Sequence, residues 1–123
     1  MKGEKLKDVI EVEAKPPGWP SYYIVTDSDV YEYTGRAFVK RNSIPPQGHS
    51  VQALSACLNH AIKEVRGDGE SAVILLDSMD LIVFDLMHDL SGPEPQSWPR
   101  VRCCSAATGL SWKDEYEEMD LLF

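Results

Sequence analysis

The sequence predicts an α+β domain: a mainly antiparallel sheet, one central amphipathic helix packed on it, and a short acidic helix at the C-terminal end. Three observations carry this reading. Short runs rich in β-branched and aromatic residues recur through the first forty positions. Apolar residues then fall three and four apart between residues 50 and 66. Two compact apolar runs, Ala72–Leu76 and Leu81–Phe84, follow a glycine-containing break. The order is strands, helix, strands, helix, with no internal repeat and no low-complexity segment. At 123 residues the chain is a single domain, long enough to bury roughly two thirds of its unfolded surface.

Residues 6–14 (LKDVIEVEA) put Val9, Glu11 and Glu13 on one face and Ile10 and Val12 on the other, which predicts a first strand. Pro16-Pro17-Gly18-Trp19-Pro20 cannot continue it, because proline removes backbone donors and fixes φ. Tyr22–Thr26 and Val30–Thr34 read as strands joined by an Asp27-Ser28-Asp29 turn. Gly35 turns the chain into Ala37–Lys40, and Asn42–Gly48, with Pro45-Pro46, is a loop.

The central helix is predicted from about Ser50 to Arg66, with Val51, Leu54, Leu58, Ala61, Ile62 and Val65 as its apolar stripe. His49 or Ser50 starts it, Ser50 being the better cap, and Gly67-Asp68-Gly69 ends it. Ala72–Leu76 follows as a buried strand. At Leu81–Leu86 the β-branched residues and the Asp77–Asp80 turn favour a hairpin strand. A helix capped by Ser78 and ending near Gly92 also suits Leu86, Met87 and Leu90, so periodicity leaves residues 81–90 open between the two. Gly92–Ser97 is a loop and Val101–Ser105 a last strand. Ser111 and Asp114 have capping-box spacing, which predicts an acidic helix through about Leu122.

Charge is distributed unevenly. Residues 1–66 hold nine Lys/Arg and eight Asp/Glu, whereas residues 67–123 hold three Lys/Arg and twelve Asp/Glu. The second half therefore carries a charge of −9 within a total of −8. Such a field speeds the capture of basic partners and repels nucleic acid and anionic membranes. No apolar stretch follows the N-terminal lysines and no run is long enough to span a bilayer, so a cytoplasmic protein is expected. Three cysteines, two of them adjacent, make no disulfide framework and fit a reducing compartment. Cys103 and Cys104 would point to opposite faces of a strand.

The residues that carry chemistry form no strong pattern. Cys57 and His60, one helical turn apart, could join Cys103 and Cys104 around zinc, but paired Cys-x₂-Cys spacing is absent and Cys57 lies on the apolar stripe. The same residues could form a Cys–His nucleophile pair, with Arg100 and Arg102 flanking the thiols. Asp77, Asp80, Asp85, His88 and Asp89 cluster in sequence without the pattern of a cation loop, and read as polar ends of elements. No catalytic residue, metal or cofactor is expected.

At the C-terminal end Trp112, Tyr116 and Met119 fall three or four apart among Asp114, Glu115, Glu117, Glu118 and Asp120. That block either docks its apolar face on the core and solvates its acids, or presents an aromatic anchor ringed by carboxylates. Trp19 and Trp98, each before a proline, fit either lids over a core edge or interface anchors, and the lid is favoured because an exposed Trp is costly without a partner.

The expected function is therefore that of a small acidic binding protein. It would act as an inhibitor or immunity protein that neutralises a basic, nuclease-like toxin or enzyme by masking its active site. Asp85, Asp89, Trp98, Trp112, Asp114, Glu115, Tyr116, Glu117, Glu118 and Asp120 are the expected partner-binding residues. The rival readings are a small enzyme using the Cys/His or Asp groups, a nucleic-acid mimic, and an accessory chaperone of a secreted basic protein.

Overall fold

The computed structural model describes residues 1–13, 20–35, 37–104 and 116–122. Within them alternation of side chains, not helical periodicity, decides the architecture. The strands are β1 (Leu6–Val12), β2 (Ser21–Thr26), β3 (Val30–Tyr33), β4 (Phe38–Arg41), β5 (His49–Ser50), β6 (Ile62–Gly67), β7 (Ala72–Leu76), β8 (Leu81–Asp89), β9 (Gln96–Cys104) and β10 (Asp120–Leu121). They form two five-stranded antiparallel sheets, ordered β4-β3-β2-β1-β5 and β9-β8-β7-β6-β10. The inner faces pack on each other. Leu6, Val9, Tyr22, Ile24, Tyr31, Tyr33 and Phe38 of the first sheet meet Ile62, Val65, Ile74, Leu76, Ile82 and Phe84 of the second in one buried cluster. Phe84 sits among aromatic rings, with centroids of Tyr33, Phe38 and Tyr22 at 5.1, 5.2 and 6.2 Å.

The expected α+β architecture is corrected here: strand makes up 54% of the described residues and helix 9%, and none of them forms a long central helix. Gln52–Cys57 forms only a short 3-10 segment that buries Leu54 and Cys57. Leu58 is extended and Asn59 is left-handed at φ 68°, so the turn cannot propagate. Ser50 caps nothing; its hydroxyl donates to Asp8 Oδ2 at 2.7 Å. Beyond Asn59 the chain is strand. The register of β6 against β7 shifts between Ile62 and Glu64, the mark of a bulge. A bulge adds one residue to a strand, so Ile62 and Val65 both face the core although they are three apart. That spacing mimics a helical stripe.

The two sheets are copies of one design, which corrects the expectation of no internal repeat. Each is a four-strand meander whose first strand also pairs with a short fifth. The register of β1 shifts between Leu6 and Asp8, matching the shift in β6, and Leu6-Lys7-Asp8-Val9 corresponds to Ile62-Lys63-Glu64-Val65. The halves cross at an antiparallel bridge between Lys5 and Ala61. Around it the backbone bonds come in matched pairs. Leu6 N donates to His60 O and Ile62 N to Glu4 O, at 2.9 and 2.7 Å; Asn59 N donates to Leu6 O and Gly3 N to Ile62 O, at 2.7 and 2.8 Å. Gly3 and Asn59, the matched pair, both have positive φ, 86° and 68°. Farther out, Asp27 N reaches Lys5 O and Asp77 N reaches Ala61 O, while Val51 N reaches Val9 O and Leu122 N reaches Val65 O.

The second sheet differs in being covered on its outer face as well. Val73, Leu75, Leu81 and Val83 point away from the first sheet and are buried by Tyr116 and Met119. This explains why Ala72–Leu76 is apolar throughout: a strand buried on both faces has no polar alternation. Residues 81–90, open between strand and helix in the sequence, are strand through Asp89. The strand expected at 101–105 begins already at Gln96 and takes in Pro99, which an edge strand tolerates. Of the expected C-terminal helix, the described residues show a helical turn at 116–118, followed by β10 where the helix was expected to run on to Leu122. The capping box at Ser111–Asp114, the proline segment at 16–19 and Ser105 lie outside the described residues.

Removing core atoms from either half should be equally damaging. Leu6→Ala and Ile62→Ala, both essentially fully buried, should each cost about 2–5 kcal/mol. Lys63→Ala, at an exposed position, should cost less than about 0.5 kcal/mol. Urea denaturation of the three variants decides it, and a small loss at only one of the two buried sites would contradict the paired design.

Candidate functional site

Because the halves match, their differences locate what the second half adds. The four residues of β3 and of β4 correspond to Leu81–Phe84 and Val101–Cys104, since Tyr33↔Phe38 matches Phe84↔Val101 and Val30↔Arg41 matches Leu81↔Cys104. Beyond them β8 and β9 continue in unbroken register from Asp85↔Arg100 to Asp89↔Gln96. This two-stranded ribbon runs about 17 Å past the shared part of the sheet. The second addition is the chain between β9 and β10, of which 116–119 are described.

Alternation puts Asp85, Met87, Asp89, Gln96, Trp98 and Arg100 on the outer face of the ribbon, continuous with Val83 and Arg102. Asp85 is buried there at 8% exposure. It accepts from Arg100 Nε at 2.8 Å and Nη2 at 3.2 Å, and from Arg102 Nη2 at 2.9 Å. Its bonds to Arg100 raise that guanidinium's pKa further. Asp85 thus anchors the base of the ribbon and neutralises the two arginines beside it. Asp89 accepts from Ser91 Oγ at 2.6 Å and Ser91 N at 3.0 Å, bonds that form the turn at the ribbon tip and hold its carboxyl below the usual range. Met87 and Leu90 are exposed, Leu90 at 74%, and Trp98 is half-buried.

At the opposite edge of the same sheet, Tyr116 donates to Glu64 Oε2 at 2.6 Å under Arg66, whose guanidinium lies 5.0 Å from the ring centroid. Arg66 also bonds Glu64 at 3.1 Å and the carbonyl of Glu117 at 3.1 Å. Tyr116 and Met119, each 7% exposed, therefore dock on the sheet, and Glu117, Glu118 and Asp120 face water. Asp120 pairs with Gly67, so the exposed Asp68 and Glu70 of the next turn join the same acidic end. Of the expected partner-binding residues, Asp85, Asp89 and Trp98 meet on the ribbon, and Tyr116, Glu117, Glu118 and Asp120 lie at the β10 edge. Four strand spacings, about 19 Å, separate the edges. Trp112, Asp114 and Glu115 lie outside the described residues.

The groups on which an enzyme or a zinc reading rested do not converge. His60 bonds Asp77 at 2.9 Å, and Ser78 donates to Asp80 at 3.0 Å. His88 bonds Ser97 at 2.7 Å across the ribbon. Cys57 and Cys103 have sulfurs 2.8 Å apart, but Cys104 packs on the other face. A different group does converge. Glu11, its cross-strand partner His49, and Glu13 bring ligand atoms within 4.8 Å of one another on the first sheet. Two carboxylates and an imidazole are a donor set suited to a first-row divalent ion. The alternation of Glu11 and Glu13 was visible in the sequence. His49 was not connected to it because it stood at the start of the expected helix.

Two outcomes follow from these bonds. Asp85→Ala should cost about 2 kcal/mol in urea denaturation, since it removes the acceptor of two guanidinium groups. The bonds from Tyr116 and Arg66 hold Glu64 below its ordinary value of 4.5. That stabilisation is complete above 4.5 and is lost as pH falls through the lower folded value. Acid titration followed by tyrosine fluorescence should show it, and Glu64→Gln should flatten the acid limb. Comparison with protein-family models, with curated proteins and with solved structures finds no match to this chain.

Proposed function

We propose that the chain is a small acidic binding protein that captures a basic partner protein, in the manner of an inhibitor or immunity protein masking a nuclease-like active site. One observation carries the reading: the parts by which the second half departs from the first lie on or beside one sheet, within the half that holds the acid excess. The described arginines of that half, Arg100 and Arg102, are spent on Asp85. Asp68, Glu70, Glu117, Glu118 and Asp120 stay exposed, as do Asp89 and Glu94 at the ribbon tip. The two acidic groups flank one sheet about 19 Å wide, a scale comparable to one standard interface of about 800 Å² per partner. Charge at its rim speeds capture, and Met87, Leu90 and Trp98 on the ribbon offer apolar contact.

Such a protein needs no catalytic group. His60, Asp77, Asp80, Asp85, His88 and Asp89 are each tied to a local partner, which favours binding over catalysis. No described helix is long and apolar enough to cross a membrane, and we place the action in the cytoplasm as part of this proposal.

The test is affinity capture from the native host, followed by kinetics on the captured protein. A basic partner should associate at least tenfold more slowly when salt rises from about 0.05 to 0.5 M. Changing Glu117, Glu118, Asp120, Asp89 and Glu94 together to Lys should produce a similar loss at low salt while unfolding stays cooperative. A partner whose association ignores both salt and charge reversal would refute the reading.

A further inference from the structure

We propose that Cys57 and Cys103 form a disulfide by exchange with a small-molecule disulfide, making a modification site that ties the linker between the halves to the edge strand of the second sheet. Their sulfurs are 2.8 Å apart, closer than the 3.5–4.0 Å at which non-bonded carbon atoms rest. Cys57 ends the 3-10 segment and is 3% exposed in the shared core; Cys103 packs against the same core from β9. The third cysteine cannot compete. Cys104 follows Cys103 in a regular strand, so it points to the opposite face, where it packs on the cluster of Leu81, Val83 and Met119.

Exposure sets the order of events. Cys103 is half-buried and Cys57 is not accessible, so the Cys103 thiolate attacks the small disulfide first. One sulfur of the reagent leaves as a thiol and a mixed disulfide remains on Cys103. Cys57, already in contact, gives up its proton and attacks the Cys103 sulfur, and the second reagent thiol leaves. Over both steps the two protein thiols lose two electrons and two protons, and the small disulfide takes them up as two thiols. Burial, then the contact with Cys57 and the charge of Asp80, push the Cys103 thiol up to about 12, so the first step is slow at neutral pH and quickens in base.

The bond would join positions 46 residues apart. It would restrict the unfolded chain and hold the strand from which the ribbon projects. All three cysteines are free thiols in the structure, so the reduced protein is the starting state for the test.

The experiment uses the full chain at pH 8.5 with oxidised glutathione. Free thiols should fall from three to one, the intact mass should drop by about 2 Da, and peptide mapping should join Cys57 to Cys103. The urea midpoint should rise and should return when a reductant is added. Cys104→Ser should still form the bond, falling from two thiols to none. Glutathione retained on Cys103, a bond that includes Cys104, or no loss of thiol in Cys104→Ser while its unfolding stays cooperative would each overturn the proposal.

Discussion

The crossing at Lys5 and Ala61 is the constraint on which the rest of the structure depends. A single antiparallel bridge, flanked by reciprocal bonds between residues 3–6 and 59–62, is the place where the backbones of the two sheets meet. It forces both first strands to enter their sheets from the same point, and each then bulges within two residues of it. The bulges bend β1 and β6 so that Leu6 with Val9, and Ile62 with Val65, turn into one shared core. Without that bend the two meanders would present separate faces. The positive φ at Gly3 and Asn59 belongs to the same device: one glycine and one asparagine, the residue types that bear this conformation at least cost. Glu4, beside the crossing, is further held by Tyr31 and Thr26, and its counterpart His60 by Asp77.

Within this frame the halves differ in what they leave exposed. Described residues 42–48 link β4 to β5 in the first half, whereas the corresponding link in the second half runs from 105 to 119. Its described end, Tyr116 and Met119, closes the outer face of the second sheet. Gly67 makes room for this, because a Cβ there would meet Leu122 at 3.0 Å. The ribbon extends the other edge. A rigid sheet with both faces packed is a sound base for such a projection, since its root is fixed by Asp85 and two arginines instead of by a loop.

Much of the sheet content was legible in the sequence. Tyr22–Thr26, Val30–Tyr33 and Ala72–Leu76 follow from β-branched and aromatic residues between turn signals. The antiparallel pairing followed from short links. The helix over 50–66 failed for an identifiable reason: a bulge shifts alternation by one residue and imitates a three-residue repeat. The same three-residue spacing stands in Leu6 and Val9, across the matching bulge of β1. Asp27-Ser28-Asp29 against Asp77-Ser78-Met79-Asp80 was a second likeness between the halves, offset by one residue. At the site, the docking of Tyr116 and Met119 with acids outward was one of the two readings weighed. The burial of Asp85 was not legible, because its arginine partners stand 15 and 17 residues away across a ribbon whose register only the fold supplies.

The matched bonds at the crossing also bear on how chains relate to each other. Each half completes the other through reciprocal contacts, so the first half of one molecule is as suitable a partner for the second half of a neighbour as for its own. Exchange of halves between two molecules would preserve the bonds between residues 3–6 and 59–62, and would have to rebuild the connection through residues 51–58, which itself places Leu54 and Cys57 in the shared core. Pairing within one chain is favoured by the shortness of that connection, which raises the local concentration of the chain's own second half. Seen this way the linker is the element that turns a self-complementary pair of half-sheets into a pairing within one chain.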